Sequence, residues 1–301
     1  MAFDLYFVGS QNLVVDEFSL QRGCKKLYSF AEKPYSKLKL YEDTDIKLFI
    51  DSGAFSIARK VTRARNLTMD DYIDFINSNT RPNLFASFDV IPYPVLNEET
   101  AQESATQSYK NYTYILDRIE QKDKLVPVYH YGEDFKNLYK ILEGYKGHYP
   151  KYIAFGGRAG VHSKHLYPVM DKFFDILKDF PEIKTHAFGV TVFDLLEKYP
   201  WTSADSTSYQ KVAVHGGIFL ECTNKTPKIS LRSIRDTNHF NYLCPQLQKL
   251  IIQEIEKYGY TLQELQESTD KRIQFNIDYF MRWADNYQYK PIQKVKRKLL
   301  F

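Results

Sequence analysis

The sequence predicts an α/β fold, a (β/α)₈ barrel of the TIM type with a helical C-terminal extension. Short β-rich runs alternate with amphipathic helical stretches, and eight such runs can be counted. The length of 301 residues suits one barrel of roughly 250 residues with insertions. Alternation of strand and helix marks a mainly parallel sheet, because parallel neighbours need a long crossover between them. An open doubly wound sheet satisfies the same periodicity, which does not by itself dictate closure.

The runs begin with FDLYFVG (3–9) and IKLFIDSG (46–53) and continue through LFASFDVI (84–91), LVPVYHYG (125–132), YIAFGG (152–157) and THAFGV (185–190). Two weaker candidates follow, TSADST (202–207) and VAVHGGIFLE (212–221). Between the runs, MDDYIDFINS, residues 98–121, DFKNLYKILEGY and LYPVMDKFFDILKDF repeat apolar residues at three- and four-residue steps, the period of a helix with one buried face. Residues 245–288 read as helical with a break near Gly259 and a cap at Thr261. The chain is therefore expected to be a single barrel domain over 1–301, with 245–301 a mostly helical extension and basic tail.

Composition fits a globular protein with a sizeable core: 44% hydrophobic and 26% charged. No apolar stretch reaches the roughly 18–20 residues of a membrane helix, and MAFDLYFVGS lacks the marks of a signal peptide, so a cytoplasmic protein is expected. Cys24, Cys222 and Cys244 are widely spaced and form neither a disulfide framework nor a CxxC pair. Lys and Arg exceed Asp and Glu by 41 to 37, which permits a polyanionic partner without demanding one. The 24 Tyr and 21 Phe supply a core and, at a surface, rings on which bases stack.

Barrel chemistry gathers at the carboxyl ends of the strands. Asp51 closes KLFIDSGAFS, Asp89 closes LFASFDVIP, His130 closes PVYHYGED, and Asp205 lies in WTSADSTSY. Three carboxylates and an imidazole on one rim supply a nucleophile, an acid/base and base-edge hydrogen bonds. Each residue also fits a structural role. Asp51 and Asp89 suit caps or turns, Asp205 before Ser206 and Thr207 suits an N-cap, and His130 suits a bonded core histidine. Gly156 and Gly157 serve a tight turn equally well as the approach of a flat ligand to bare backbone. Neither GxxxxGK[ST], GxGxxG nor HExxH occurs in a supporting context.

Taken in order, DSGAFS, SFDVIP, VYHYGED, AFGGRAG and AFGVTVFDLLEKYPWTSADS resemble the signature blocks of the queuine-type tRNA-guanine transglycosylase superfamily, over residues 46–206. The compact chain and altered motifs are most similar to the DpdA-type DNA-guanine transglycosylases of phages and bacteria. The resemblance implies a nucleophile at Asp205, reached through Gly189, Leu195 and Leu196, and an acid/base at Asp51. It implies that Phe55 stacks on the base, Asp89 reads the polar edge of guanine, and the backbone of Gly156, Gly157, Arg158 and Ala159 lines the pocket. His130 stands where the family has a base-contacting glutamine.

Several positions depart from the family pattern. Ala54 replaces a glycine, Ser56 a glutamine and Arg158 an apolar residue, and the acidic residue after the GGLA block is missing. The CxCxxC and distant His that bind structural zinc in the tRNA enzymes have no counterpart, so no zinc is expected and a different polynucleotide is favoured.

The resemblance thus implies exchange of guanine in DNA for a 7-deazaguanine co-substrate such as 7-cyano-7-deazaguanine, with no cofactor, a modification that would shield DNA from restriction nucleases. Arg59, Lys60, Arg63 and Arg65, directly after Phe55, are candidates to hold phosphates, and a solvated loop is the alternative. The tail KPIQKVKRKLLF offers Lys290, Lys294, Lys296, Arg297 and Lys298 in the same way. Rival readings are a tRNA-guanine transglycosylase, a barrel hydrolase using two carboxylates, and a non-catalytic nucleic-acid-binding barrel. The identity of any protein partner is left open.

Overall fold

A computed structural model describes residues 3–9, 12–61, 66–92, 97–156, 163–189, 192–223 and 225–289. The first strand, β1 (Asp4–Val8), sets the pattern: Leu5 and Phe7 pack outward among the helices, and Tyr6 and Val8 face the opposite way. Side chains alternate across a strand, so a strand buried on both faces reads as a nearly continuous apolar run. The same alternation holds in β2 (Lys26–Ser29), β3 (Leu48–Asp51), β4 (Leu84–Ala86), β5 (Leu125–Val126) and β6 (Val128–His130). It continues in β7 (Tyr152–Gly156), β8 (Lys184–Phe188) and β9 (Ser203–Ser206). Tyr6, Leu27, Phe49, Leu84, Ala86, Val126, Val128, Tyr152 and Ala154 form one inner apolar cluster.

The nine strands are parallel and pair in the order β5-β4-β3-β2-β1-β9-β8-β7-β6, a nearly closed barrel. Strands β5 and β6 are two halves of one run divided at Pro127, which has no N–H to give to a ladder. Ser87 N–H donates to the Val126 carbonyl at 2.8 Å and Ala154 N–H to the Pro127 carbonyl at 2.9 Å, so backbone bonds continue across the break. Counting the divided run once leaves eight strand positions, as expected from the sequence.

Helices α1 (Leu13–Gln21), α2 (Tyr35–Lys39), α3 (Ala54–Ala58), α4 (Met69–Ser78), α5 (Glu98–Leu116), α6 (Phe135–Leu142), α7 (Ser163–Leu177), α8 (Phe193–Lys198) and α9 (Ser208–Val214) alternate with the strands. Their starts follow local chemistry. Thr68 with Asp71 and Asn97 with Thr100 form reciprocal capping boxes at α4 and α5, satisfying backbone N–H groups that have no partner inside the helix.

Helices α10 (Pro245–Lys257), α11 (Leu262–Glu267) and α12 (Thr269–Asp285) complete the chain. The break falls at Gly259, φ +79°, and Thr261 caps α11, where the sequence placed them. Helix α12 packs on α1, α9 and β1, against the outside of the barrel. Among the described residues no helix is long and apolar enough to cross a membrane.

One strand expectation is corrected and one strand that the sequence did not suggest is added. VAVHGGIFLE is not a strand: Val212–Val214 finish α9, and the chain then turns through Gly216 at φ +81°. A helix is needed there to cover β9, and tertiary context overrides the β preference of valine. The barrel position assigned to that run belongs to β2, whose KLYS sequence hides its nature. Lys26 is fully buried, its ammonium 3.4 Å from Asp16 Oδ1 of α1, and Lys37 of α2 pairs with the same carboxylate. A buried charge with a partner lets a strand contain a lysine that reads as surface in sequence.

Candidate active site at the carboxyl ends of the strands

The alternation that fills the barrel also decides which residues reach its rim. Asp51 follows Phe49 on the inner face of β3, His130 follows Val128 on β6, Gly156 follows Ala154 on β7, and Asp205 follows Ser203 on β9. All four end their strands at the carboxyl side, where barrel sites form. Asp89 lies three residues beyond the end of β4, in the connection rather than on the strand.

Asp89, His130 and Glu133 form a buried chain. His130 Nε2 lies 2.8 Å from Asp89 Oδ2, and its Nδ1 lies 3.0 Å from Glu133 Oε1. The Glu133 carboxylate also accepts the backbone N–H of His130 at 3.1 Å, and Ser52 Oγ donates to Asp89 Oδ1 at 3.1 Å. Burial disfavours a charged imidazole, but hydrogen bonds and charge from Asp89 and Glu133 outweigh it, and His130 is pushed up to about 10. Both ring nitrogens of His130 therefore already have carboxylate partners. A Cβ on Gly156 would lie 2.3 Å from His130 Cδ2, so the bare backbone of Gly156 makes room for this ring.

Asp51 is held by the N–H of Gly53, which donates to Oδ2 at 3.2 Å. Gly53 sits at φ +88°, a conformation that favours glycine, and opens α3. The Asp51 carboxyl is raised from 3.8 to about 7 by burial first, then by the charges of Asp89 and Asp205, against the smaller influence of Gly53 N–H and the Ser29 hydroxyl. Burial and the two neighbouring carboxyl groups disfavour ionisation of Asp51, which therefore holds its proton up to about neutral pH.

Asp205 is 9% exposed, and its Oδ1 accepts the Gly189 N–H at 3.2 Å. His186, fully buried on β8, places Nε2 3.5 Å from the same oxygen and Nδ1 2.8 Å from Ser203 Oγ. Burial lowers the His186 pKa, opposed by Asp205, so the ring is neutral. Leu195 and Leu196 are buried in α8.

On the first turn of α3, Phe55 is 46% exposed, and the Arg59 guanidinium carbon lies 5.4 Å from its ring centroid. Arg59 and Lys60 are exposed. Arg63, Arg65, Gly157, Arg158, Ala159 and the basic residues of the tail lie outside the described residues. The site thus unites Asp51, Asp89, His130, Gly156 and Asp205. It adds Ser52, Glu133 and His186, which the sequence reading missed. The signals were a Glu three residues after His130 and a histidine at an inward position of an apolar run. Among the described residues no group of three or more His, Cys, Asp and Glu is arranged to hold a metal ion. No known family model matches the chain, and no curated protein matches it.

Proposed function

We propose that the protein exchanges guanine in DNA for a 7-deazaguanine base through a covalent intermediate on Asp205. The observation that carries the reading is a pair of carboxyl groups with different environments on one barrel rim. Asp51 changes protonation near neutral pH, whereas Asp205 accepts the Gly189 N–H and faces the neutral His186 imidazole at 3.5 Å. Pairs separated in this way divide the roles of acid/base and nucleophile.

In the first half-reaction an Asp205 oxygen attacks C1′ of the nucleotide and the bond from C1′ to guanine N9 breaks. The electron pair goes to the base, which takes a proton from Asp51. In the second, N9 of the incoming deazaguanine attacks C1′, its proton passes to Asp51, and the bond to Asp205 breaks. Covalent capture splits one hard substitution into two, and the strand is preserved. Asp89, oriented by Ser52 and His130, keeps carboxylate lone pairs for N–H donors on the guanine edge. Phe55 offers a face to a base that has left its stack.

A non-catalytic barrel gains nothing from Asp51. A carboxyl whose pKa is raised by burial and like charge weakens the fold at neutral pH, and such groups cluster where chemistry needs them. The test is incubation of the purified protein with guanine-labelled DNA, or tRNA, and 7-cyano-7-deazaguanine, followed by nucleoside mass spectrometry. Exchange in DNA is expected. Exchange in tRNA alone would retain the chemistry and change the substrate, and exchange in neither would refute the reading.

A further inference from the structure

Behind Asp205, on the side away from the barrel mouth, hydroxyl groups and an imidazole follow one another. The Tyr152 hydroxyl lies 2.7 Å from Ser203 Oγ, Ser203 Oγ lies 2.8 Å from His186 Nδ1, and His186 Nε2 lies 3.5 Å from Asp205 Oδ1. The chain crosses three adjacent strands, β7, β8 and β9, each contributing an inward residue. Register makes this possible, because His186 sits opposite Ser203 and Asp205 is two residues further on the same face.

We propose that His186 is a positioning residue for the Asp205 nucleophile, fixed as the Nε2–H tautomer by a one-way hydrogen-bond chain from Tyr152 through Ser203. The inference rests on the transglycosylase reading for its catalytic meaning, whereas the wiring rests on the contacts inside the barrel and on the burial of His186 and Tyr152.

The direction follows from donor and acceptor capacity. The nucleophile role requires a carboxylate at Asp205, which only accepts, so a proton on the ring belongs on the nitrogen that faces it at 3.5 Å. Nδ1 of a neutral ring then has only a lone pair, and the Ser203 hydroxyl donates to it at 2.8 Å in preference to the Thr185 carbonyl at 3.4 Å. The remaining lone pairs of Ser203 accept from Tyr152, whose pKa is raised by burial, so that the phenol stays protonated. Tyr6, Phe49 and Phe188 surround the imidazole with ring centroids 5.9, 4.7 and 4.4 Å away. Asp205 and the more distant Asp4 are the charges that act on it, and burial keeps it neutral against both.

A neutral donor in an aromatic cage suits a nucleophile that is reused. Its Nε2–H faces Oδ1 at 3.5 Å, which leaves the carboxylate free to attack, and it stabilises the negative charge that returns to the carboxylate when the glycosyl bond to Asp205 breaks. A permanent cation there would hold the carboxylate more tightly and blunt it.

The tautomer is read directly by long-range proton–nitrogen NMR of the histidine rings, with the His186 signals assigned by their loss in His186→Gln. A neutral ring protonated on Nε2 at pH 7 to pH 8 is expected. A proton on Nδ1, or an imidazolium at pH 7, overturns the wiring whether or not the protein exchanges bases.

Single-turnover adduct formation then tests the role. His186→Leu is expected to slow it roughly 10- to 100-fold, with KM for DNA little changed, because one preorganised donor is removed. His186→Gln, which keeps an N–H donor and an acceptor oxygen, should recover part of the rate. Wild-type rates in both variants would make His186 a packing residue and overturn the proposal. A wild-type protein without exchange would instead refute the transglycosylase reading, leaving the wiring to the NMR result.

Discussion

Replacement of Asp51 by Asn should make the protein more stable and less active, by an amount that depends on pH. In the folded chain the Asp51 carboxyl is raised from 3.8 to about 7. Between these values the folded state binds more protons than the unfolded state, so stability falls as pH rises through the window. The penalty is absent below pH 3.8 and complete above about 7. At 1.36 kcal/mol per pH unit it reaches on the order of 4 kcal/mol at pH 8 and about 2 kcal/mol at pH 5.

Asparagine is neutral throughout, has nearly the same shape, and can still accept the Gly53 N–H. Asp51→Asn should therefore exceed the parent by about 2 kcal/mol at pH 5 and about 4 kcal/mol at pH 8 in urea unfolding followed by circular dichroism. It should also lose most of the proposed base exchange, because the group proposed to carry the proton is gone. A stability advantage that is absent, or that shrinks as pH rises, would show that Asp51 does not share its space with Asp89 and Asp205 as described.

Three further outcomes follow from the same geometry. His130, pushed up to about 10, contributes stability that is full below its ordinary 6.5 and lost as pH rises through 10. His130→Gln should cost roughly 3 kcal/mol at pH 6, because it leaves Asp89 and Glu133 without their cation, and the gap to wild type should narrow by pH 10 in parallel unfolding curves. Gly156→Ala puts a methyl group where the His130 ring lies, 2.3 Å from Cδ2. A loss of about 1–3 kcal/mol in urea unfolding and reduced exchange are expected. Phe55→Ala, at an exposed position, should leave thermal unfolding nearly unchanged while weakening single-stranded DNA binding roughly tenfold, measured by fluorescence anisotropy.

Much of the barrel was legible because each strand is buried on both faces and so stands out as an apolar run. Asp51, His130 and Asp205 could be placed from the same fact, since a polar residue at an inward register near the end of such a run points to the rim. The parts that escaped are those where a tertiary partner masks the local signal. The strand KLYS contains Lys26, whose charge is paired with Asp16 of another element. VAVHGGIFLE has the residues of a strand but begins within α9 because the barrel needs a helix there.

Glu133 and His186 show the same limit within the site. Glu133 reads as part of a turn until its carboxylate is seen on His130. His186 reads as one polar residue in THAFGV, and only the register of β8 against β9 brings it to Asp205. Gly156 reads in sequence as a tight-turn glycine or one that a flat ligand approaches, whereas the group against its backbone is the His130 ring.

The bond proposed between Asp205 and C1′ can be trapped. Protein mixed with guanine-containing single-stranded DNA, without a deazaguanine, should be denatured rapidly, digested and analysed by peptide mass spectrometry. A peptide linked through Asp205 to a base-free nucleotide is expected, absent in Asp205→Ala and discharged when 7-cyano-7-deazaguanine is added before denaturation. An adduct on another residue, or exchange that persists in Asp205→Ala, would contradict the proposal.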